Sequence, residues 1–103
     1  MYAYHEDFRL WLEEYVDELA TETGRNLLRE IAGATGDDYR LRCQQCHQDQ
    51  IETIRKRALE RGECPPKAQQ VMDHVIAPIV YRILFTQVFP DFTYAWKLMG
   101  KLL

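Results

Sequence analysis

The sequence has little of what membrane insertion or nucleic-acid binding requires. Its longest apolar runs, such as residues 75–80, are far shorter than the roughly 20 residues that span a bilayer. The formal net charge is -3 at pH 7, whereas a surface that displaces the counterions of phosphate needs a basic excess. These absences exclude a membrane span and argue against DNA binding by these residues alone.

The first residues do not have the pattern of an export signal, and the cysteine content agrees with this interpretation. The first residues include Glu6 and Asp7, where a signal peptide would be basic and apolar. The three cysteines are an odd number, which argues against a framework of disulfides. We therefore expect a cytoplasmic protein in which Cys43, Cys46 and Cys64 are free thiols.

The chain further lacks the patterns of a sheet and of an enzyme. No alternation of Val, Ile and Thr between turn residues is present, so no strand is predicted. There is no glycine-rich phosphate loop, and Asp73 and His74 have no nucleophile near them in the sequence. We therefore expect a protein that is not an enzyme.

What the sequence does contain is helical periodicity in a chain of one-domain size, taken as residues 1–103. Apolar residues recur at spacings of three and four, and capping residues and prolines separate the runs. The pattern predicts an all-α fold, an antiparallel bundle of about five helices. They run from Tyr4 to Leu19, from about Arg25 to Ala34, from a cap at Asp37 or Asp38 to Arg61, onward from Pro65-Pro66, and onward from a cap at Asp91.

The fourth predicted helix is apolar around much of its girth and contains Pro78. A proline inside a helix removes one backbone donor, so we expect a bend there. The fourth and fifth helices carry more apolar surface than about three other helices can cover, and such a surplus marks a partner interface. We therefore predict a homodimer whose two-helix interface is formed by Val75, Ile76, Ile79, Ile83, Phe92, Trp96 and Met99.

One short motif, Cys43-Gln44-Gln45-Cys46-His47, allows three interpretations. It matches the C-x-x-C-H attachment sequence of c-type haem, although it lies inside a predicted long helix. Its thiols and imidazole share one helical face and could bind a metal, although a fourth ligand is missing. The interpretation we prefer is that Cys43 and Cys46 are small core residues flanked by His47, since free cysteine is among the most buried residue types. We expect no cofactor, and a small helical haem- or metal-binding protein is the alternative.

Four segments resemble the C-terminal domain of the tetracycline-repressor (TetR) family of transcription regulators. The most specific are Arg61-Gly62-Glu63 and the later run Ala77-Pro78-Ile79-Val80-Tyr81-Arg82. The opening helix, with Asp7-Phe8-Arg9 and Trp11-Leu12, and the segment Gly24-Arg25-Asn26-Leu27-Leu28 also match. The resemblance covers nearly all of the chain.

The resemblance implies a ligand-binding and dimerisation domain of a repressor. Such a domain dimerises through its last two helices and encloses an effector pocket between the earlier helices and the bent one. Binding of the effector would then change the spacing of two DNA-binding domains. The family's N-terminal helix-turn-helix domain has no counterpart in these residues, so DNA would be bound only through that absent domain.

The candidate pocket residues are aromatic, soft or polar groups on the inward stripes of these helices. They would hold an apolar or aromatic small molecule. Aromatic residues at helical spacing can instead pack in the hydrophobic core without binding a ligand. Arg82, set among apolar residues, is expected to need a carboxylate or carbonyl partner. A purely structural helical interaction domain stays open as a third possibility. The candidates are Trp11, Tyr15, Cys46, His47, Met72 and Tyr81.

Overall fold

The computed structural model describes residues 3–34 and 36–103, and these residues form five helices and no strand. The all-α prediction is therefore confirmed. Helix α4 spans residues 68–85 without a break and consists of three contiguous parts, the middle one a π-helix. The helices are α1 (Ala3–Leu19), α2 (Glu22–Gly33), α3 (Asp37–Glu60), α4 (Ala68–Val71, Met72–Ile76 and Ala77–Phe85) and α5 (Phe92–Gly100).

One face of α1 forms the centre of the core. Its buried residues are Tyr4, Phe8, Leu12, Val16 and Leu19, which recur every three or four positions as one side of a helix requires. This face belongs to one hydrophobic core with residues of the second half of α3, of α4 and of α5, and the backbone of α1 lies close to those of α3 and α5. The other buried members of this core are Ile51, Ile54, Ala58, Val71, Val75, Ile79, Ile83, Ala95 and Met99.

Helix α2 begins earlier in the chain than the sequence predicts. Thr21 is its N-cap, and the Thr21 hydroxyl accepts a hydrogen bond from the backbone N–H of Gly24 at 3.0 Å. Gly24 is buried against the end of α1, where a Cβ atom would overlap the carbonyl oxygen of Glu18 and lie 2.9 Å from its carbonyl carbon. The glycine is therefore required for the close approach of α2 to α1.

The ends of α3 are both set by glycines. Gly36 is the N-cap, with φ 102° and no side-chain cap, so the predicted cap at Asp37 or Asp38 is wrong. Gly62 follows the other end with φ 80°, in the left-handed region that favours glycine. There the N–H of Glu63 donates to the carbonyl of Ala58 at 2.9 Å, which satisfies the helix end.

The Arg61-Gly62-Glu63 segment also connects α3 to α1. The Glu63 carboxylate accepts a hydrogen bond from the backbone N–H of Ala3 at 2.8 Å and another from Nε of Arg61 at 2.9 Å. The guanidinium of Arg61 lies 3.6 Å from the carboxylate of Asp7 on α1. An acidic group at a helix N-terminus is favourable, so this motif stabilises the start of α1.

A bend is predicted at Pro78, and the structure has a wide helical turn directly before this residue. Pro78 has no N–H, and directly before it the N–H of Ala77 donates to the carbonyl of Met72, five residues back. Residues Met72–Ile76 are accordingly π-helical, a form found mostly as single turns inside α-helices. Helix α4 therefore continues to Phe85 past its proline.

We expect Gly24→Ala to destabilise the protein by about 1–3 kcal/mol, the usual cost of forcing an extra carbon into a packed site. Gly33→Ala, in the same helix, is the matched control because a Cβ atom there meets nothing within 4 Å. That change should raise stability by about 0.5 kcal/mol, since alanine loses less backbone entropy on folding. Denaturant unfolding of both variants tests this, and equal stabilities would contradict the close approach at Gly24.

Candidate functional site

A groove lies between α1 and the first half of α3. It has a cavity volume of about 510 Å³ and is open to solvent along one side. The residues that α1 contributes stand at i, i+3, i+4 and i+7, beside its buried face, so one helix supplies both core and groove. The lining consists of Trp11, Glu14, Tyr15 and Glu18 from α1 and Cys46, His47 and Gln50 from α3.

Aromatic contacts form the wall of this groove and join its two helices. The rings of Trp11 and Tyr15 are stacked, with centroids 5.8 Å apart and planes at 14°. The rings of His47 and Tyr15 meet edge to face, with centroids 5.3 Å apart and planes at 89°. Across the groove, Nε1 of Trp11 donates a hydrogen bond of 2.8 Å to the side-chain oxygen of Gln50. These contacts hold the first half of α3 against α1.

The wall groups are neutral, and the charge of the groove comes from its carboxylates. Burial raises the pKa of Tyr15, and the nearby Cys43 and Glu18 raise it further, so the group stays a phenol. Burial lowers the pKa of His47 from its usual 6.5, against the opposing effect of Glu18. Among the described residues, neither Glu14 nor Glu18 has a basic partner within ion-pair distance.

Four of the six residues predicted to bind ligand come together in this groove: Trp11, Tyr15, Cys46 and His47. The other two do not. Met72 is half-buried against the hydrophobic core, and Tyr81 is 61% exposed on α4, where its ring lies 5.1 Å from that of Phe85.

The sequence interpretation missed three lining residues, Glu14, Glu18 and Gln50. The two acids follow Trp11 at the same three-and-four spacing as the aromatic residues, so a helical projection of α1 places them next to the wall. Acidic residues between the apolar positions of an amphipathic helix usually face solvent, so their charge does not mark them as part of a pocket. Gln50 is one turn after Cys46 and could have been found in the same way.

The Cys43-x-x-Cys46-His47 motif lies in α3, and its Cys46 and His47 line the groove. Cys43 is half-buried, and burial together with the nearby Cys46 raises the pKa of its thiol. Cys46 is exposed, and its sulfur accepts a hydrogen bond from Nε2 of Gln50 at 3.7 Å. In the part of the chain that the structure describes, no three or more His, Cys, Asp or Glu side chains are arranged to hold a metal ion. All three cysteines are free thiols, as predicted.

A second depression follows the outer side of α3 and is larger, at about 740 Å³. A single helix supplies all of its lining, so it cannot enclose a ligand between opposing walls. The groove between α1 and α3 is therefore the better candidate for a binding site. The lining of the second depression is Asp49, Glu52, Thr53, Lys56, Leu59 and Glu60.

The predicted dimer residues need a correction. Five of them are buried in the core of the chain itself and have no surface left for a partner: Val75, Ile76, Ile79, Ile83 and Met99. Only Phe92 and Trp96 keep partly exposed rings, which stack at 6.0 Å and 16°. The reason is that these side chains pack into the chain's own core, where α3 and α5 lie against α4, and a count of apolar residues does not reveal that packing.

The outward side of α4 carries a different aromatic pair. Tyr81 and Phe85 are 61% and 72% exposed, and Val88 and Phe89 continue the exposed apolar surface into the following loop. Arg82, for which a carboxylate or carbonyl partner was expected, lies instead over the ring of Tyr94 at 4.0 Å, a cation–π contact.

Comparison with known families gives one match. The family model described as "Tetracyclin repressor-like, C-terminal domain" matches residues 3–101. Comparisons with curated proteins and with solved structures found no match. Within the described residues, no helix is long and apolar enough to cross a membrane.

Proposed function

The chain belongs to the family of tetracycline-repressor-like C-terminal domains, and on this basis we propose that it is the effector-binding and dimerisation domain of a transcriptional repressor. Domains of this family are in general regulatory rather than catalytic. The effector is an apolar or aromatic small molecule, and DNA is bound through an N-terminal helix-turn-helix domain outside these residues. The proposal includes a cytoplasmic location and a homodimer.

The groove between α1 and α3 is the observation that carries the effector-binding half of this proposal. Its volume of about 510 Å³ lies within the range of about 300–1,000 Å³ that is usual for small-molecule sites. Aromatic rings form its wall, and Gln50 and two carboxylates supply a few polar groups, the combination that orients a ligand. Because the two walls belong to different helices, a ligand between them would change how those helices sit together.

The dimerisation half is supported by the exposed aromatic residues of the last two helices. Tyr81 and Phe85 on α4 are exposed, and the stacked pair Phe92 and Trp96 on α5 is only half-buried, so apolar ring surface remains in contact with water. Aromatic residues are enriched at protein interfaces, and a symmetric pair of chains would cover the same patch on each. We place the interface on this outer surface. No observation favours a haem or metal role for Cys43, Cys46 and His47.

For effector binding, we expect a panel of neutral and charged aromatic compounds to raise the melting temperature of the protein. A ligand at 100 times its Kd adds about 2.7 kcal/mol of stability to the folded state. Trp11→Leu should abolish these shifts because it removes one of the two stacked rings of the aromatic wall. Leu59→Ser is the control, since Leu59 is exposed on the outer side of α3. If no compound shifts the wild-type protein, or if all shifts survive Trp11→Leu, effector binding in this groove is wrong.

For dimerisation, we expect Phe85→Glu to weaken self-association by about 30-fold or more, the effect of losing an interface hot spot. Phe85 is 72% exposed within one chain, so the change should not disturb its core. Leu59→Glu introduces the same charge at a residue that is 55% exposed on α3 and should leave the dimer intact. Sedimentation velocity measures both. A wild-type protein that is monomeric at micromolar concentration would contradict the proposal.

A further inference from the structure

The two carboxylates at the groove form a like-charge pair on one helix. Glu14 and Glu18 are four residues apart on α1, both are exposed, and among the described residues neither has a basic side chain within ion-pair distance. By contrast, Glu6 and Glu13 on the same helix both pair with Arg9. Two like charges at this spacing repel and destabilise a helix. A positive charge bound between them would remove that repulsion.

The remaining lining offers no positive charge of its own. No Lys or Arg is among the described residues that line the groove, and burial disfavours the charged form of His47. An anionic ligand would therefore meet two carboxylates without any compensating cation. A neutral ligand would leave the repulsion between Glu14 and Glu18 as it is. Only a cation gains from the charge of this site.

The aromatic wall favours a cation of a particular shape. Trp11 and Tyr15 are stacked nearly parallel, with planes at 14°, and both line the groove together with the carboxylates. Tryptophan is the side chain whose ring face attracts cations best, and a flat ring also packs well on a flat surface. We propose that this groove binds an organic cation with a planar aromatic body. The inference rests on the proposed effector-binding function and names the chemical class of the effector.

The test uses three probes of one shape that differ in charge. They are N-methylacridinium, acridine at mildly alkaline pH, where it is neutral, and acridine carboxylate, an anion. Isothermal titration of the whole chain should show binding of the cation and much weaker binding of the other two. Glu14→Gln and Glu18→Gln should each weaken binding of the cation about fivefold, the upper range for a solvent-exposed ion pair. Added salt should weaken it as well.

Glu13→Gln is the matched control, because it removes the same charge one position away from Glu14. Glu13 pairs with Arg9 at 2.9 Å and does not line the groove, so affinity for the cation should stay unchanged. Melting temperatures of the three variants show whether each is folded.

Two results would overturn the proposal, and they differ in their consequence for the groove as an effector site. If acridine or its carboxylate binds as tightly as the cation, and if the Glu14 and Glu18 variants bind normally, the ligand class is wrong. Loss of that binding in Trp11→Leu would then still support the groove as the effector site. If none of the three probes binds, the cation proposal is wrong, and the wider panel of aromatic compounds decides separately whether the groove binds an effector at all.

Discussion

The burial of one face of α1 is the interaction on which the rest of the structure depends. Phe8 and Leu12, at the middle of that face, are fully buried between α3, α4 and α5. Burial of such side chains contributes roughly 1.5–3 kcal/mol each, far more than the surface ion pairs of the same helix. The adjoining face of α1 carries Trp11 and Tyr15. The core therefore fixes the rotation of α1 and with it the direction in which the groove's aromatic wall faces.

Helix α3 is held in two different ways along its length. Its second half is anchored in the core by Ile51, Ile54 and Ala58, whereas within the described residues 37–50 no side chain is buried. The first half is held to α1 through the contacts of His47 and Gln50 across the groove. Segments with few buried apolar contacts open most easily. A ligand in the groove would thus act on the part of α3 that the core does not fix.

The spacing of apolar residues predicted the helices well, because a helix that packs on a core buries one stripe of its side chains. The bounds of α1 and the cap of α5, where Asp91 accepts from the N–H of Tyr94 at 2.8 Å, follow directly from the sequence. The start of α2 was missed because the Thr21 cap precedes the apolar run. The sequence also assigned the buried side of α4 to a partner interface, since an apolar stripe looks the same whether the same chain or a second one covers it. Burial of Val75 and Ile79 depends on which helices pack over them.

The central claim is that the groove between α1 and α3 is the effector site and that its occupant orders the first half of α3. Amide hydrogen exchange measures this most directly. In the free protein we expect slow exchange at residues 51–58 and fast exchange at residues 40–50. Saturation with a bound compound should slow exchange in residues 40–50 and leave residues 51–58 nearly unchanged. Equal protection of both halves in the free protein, or no added protection in residues 40–50 on binding, would contradict it.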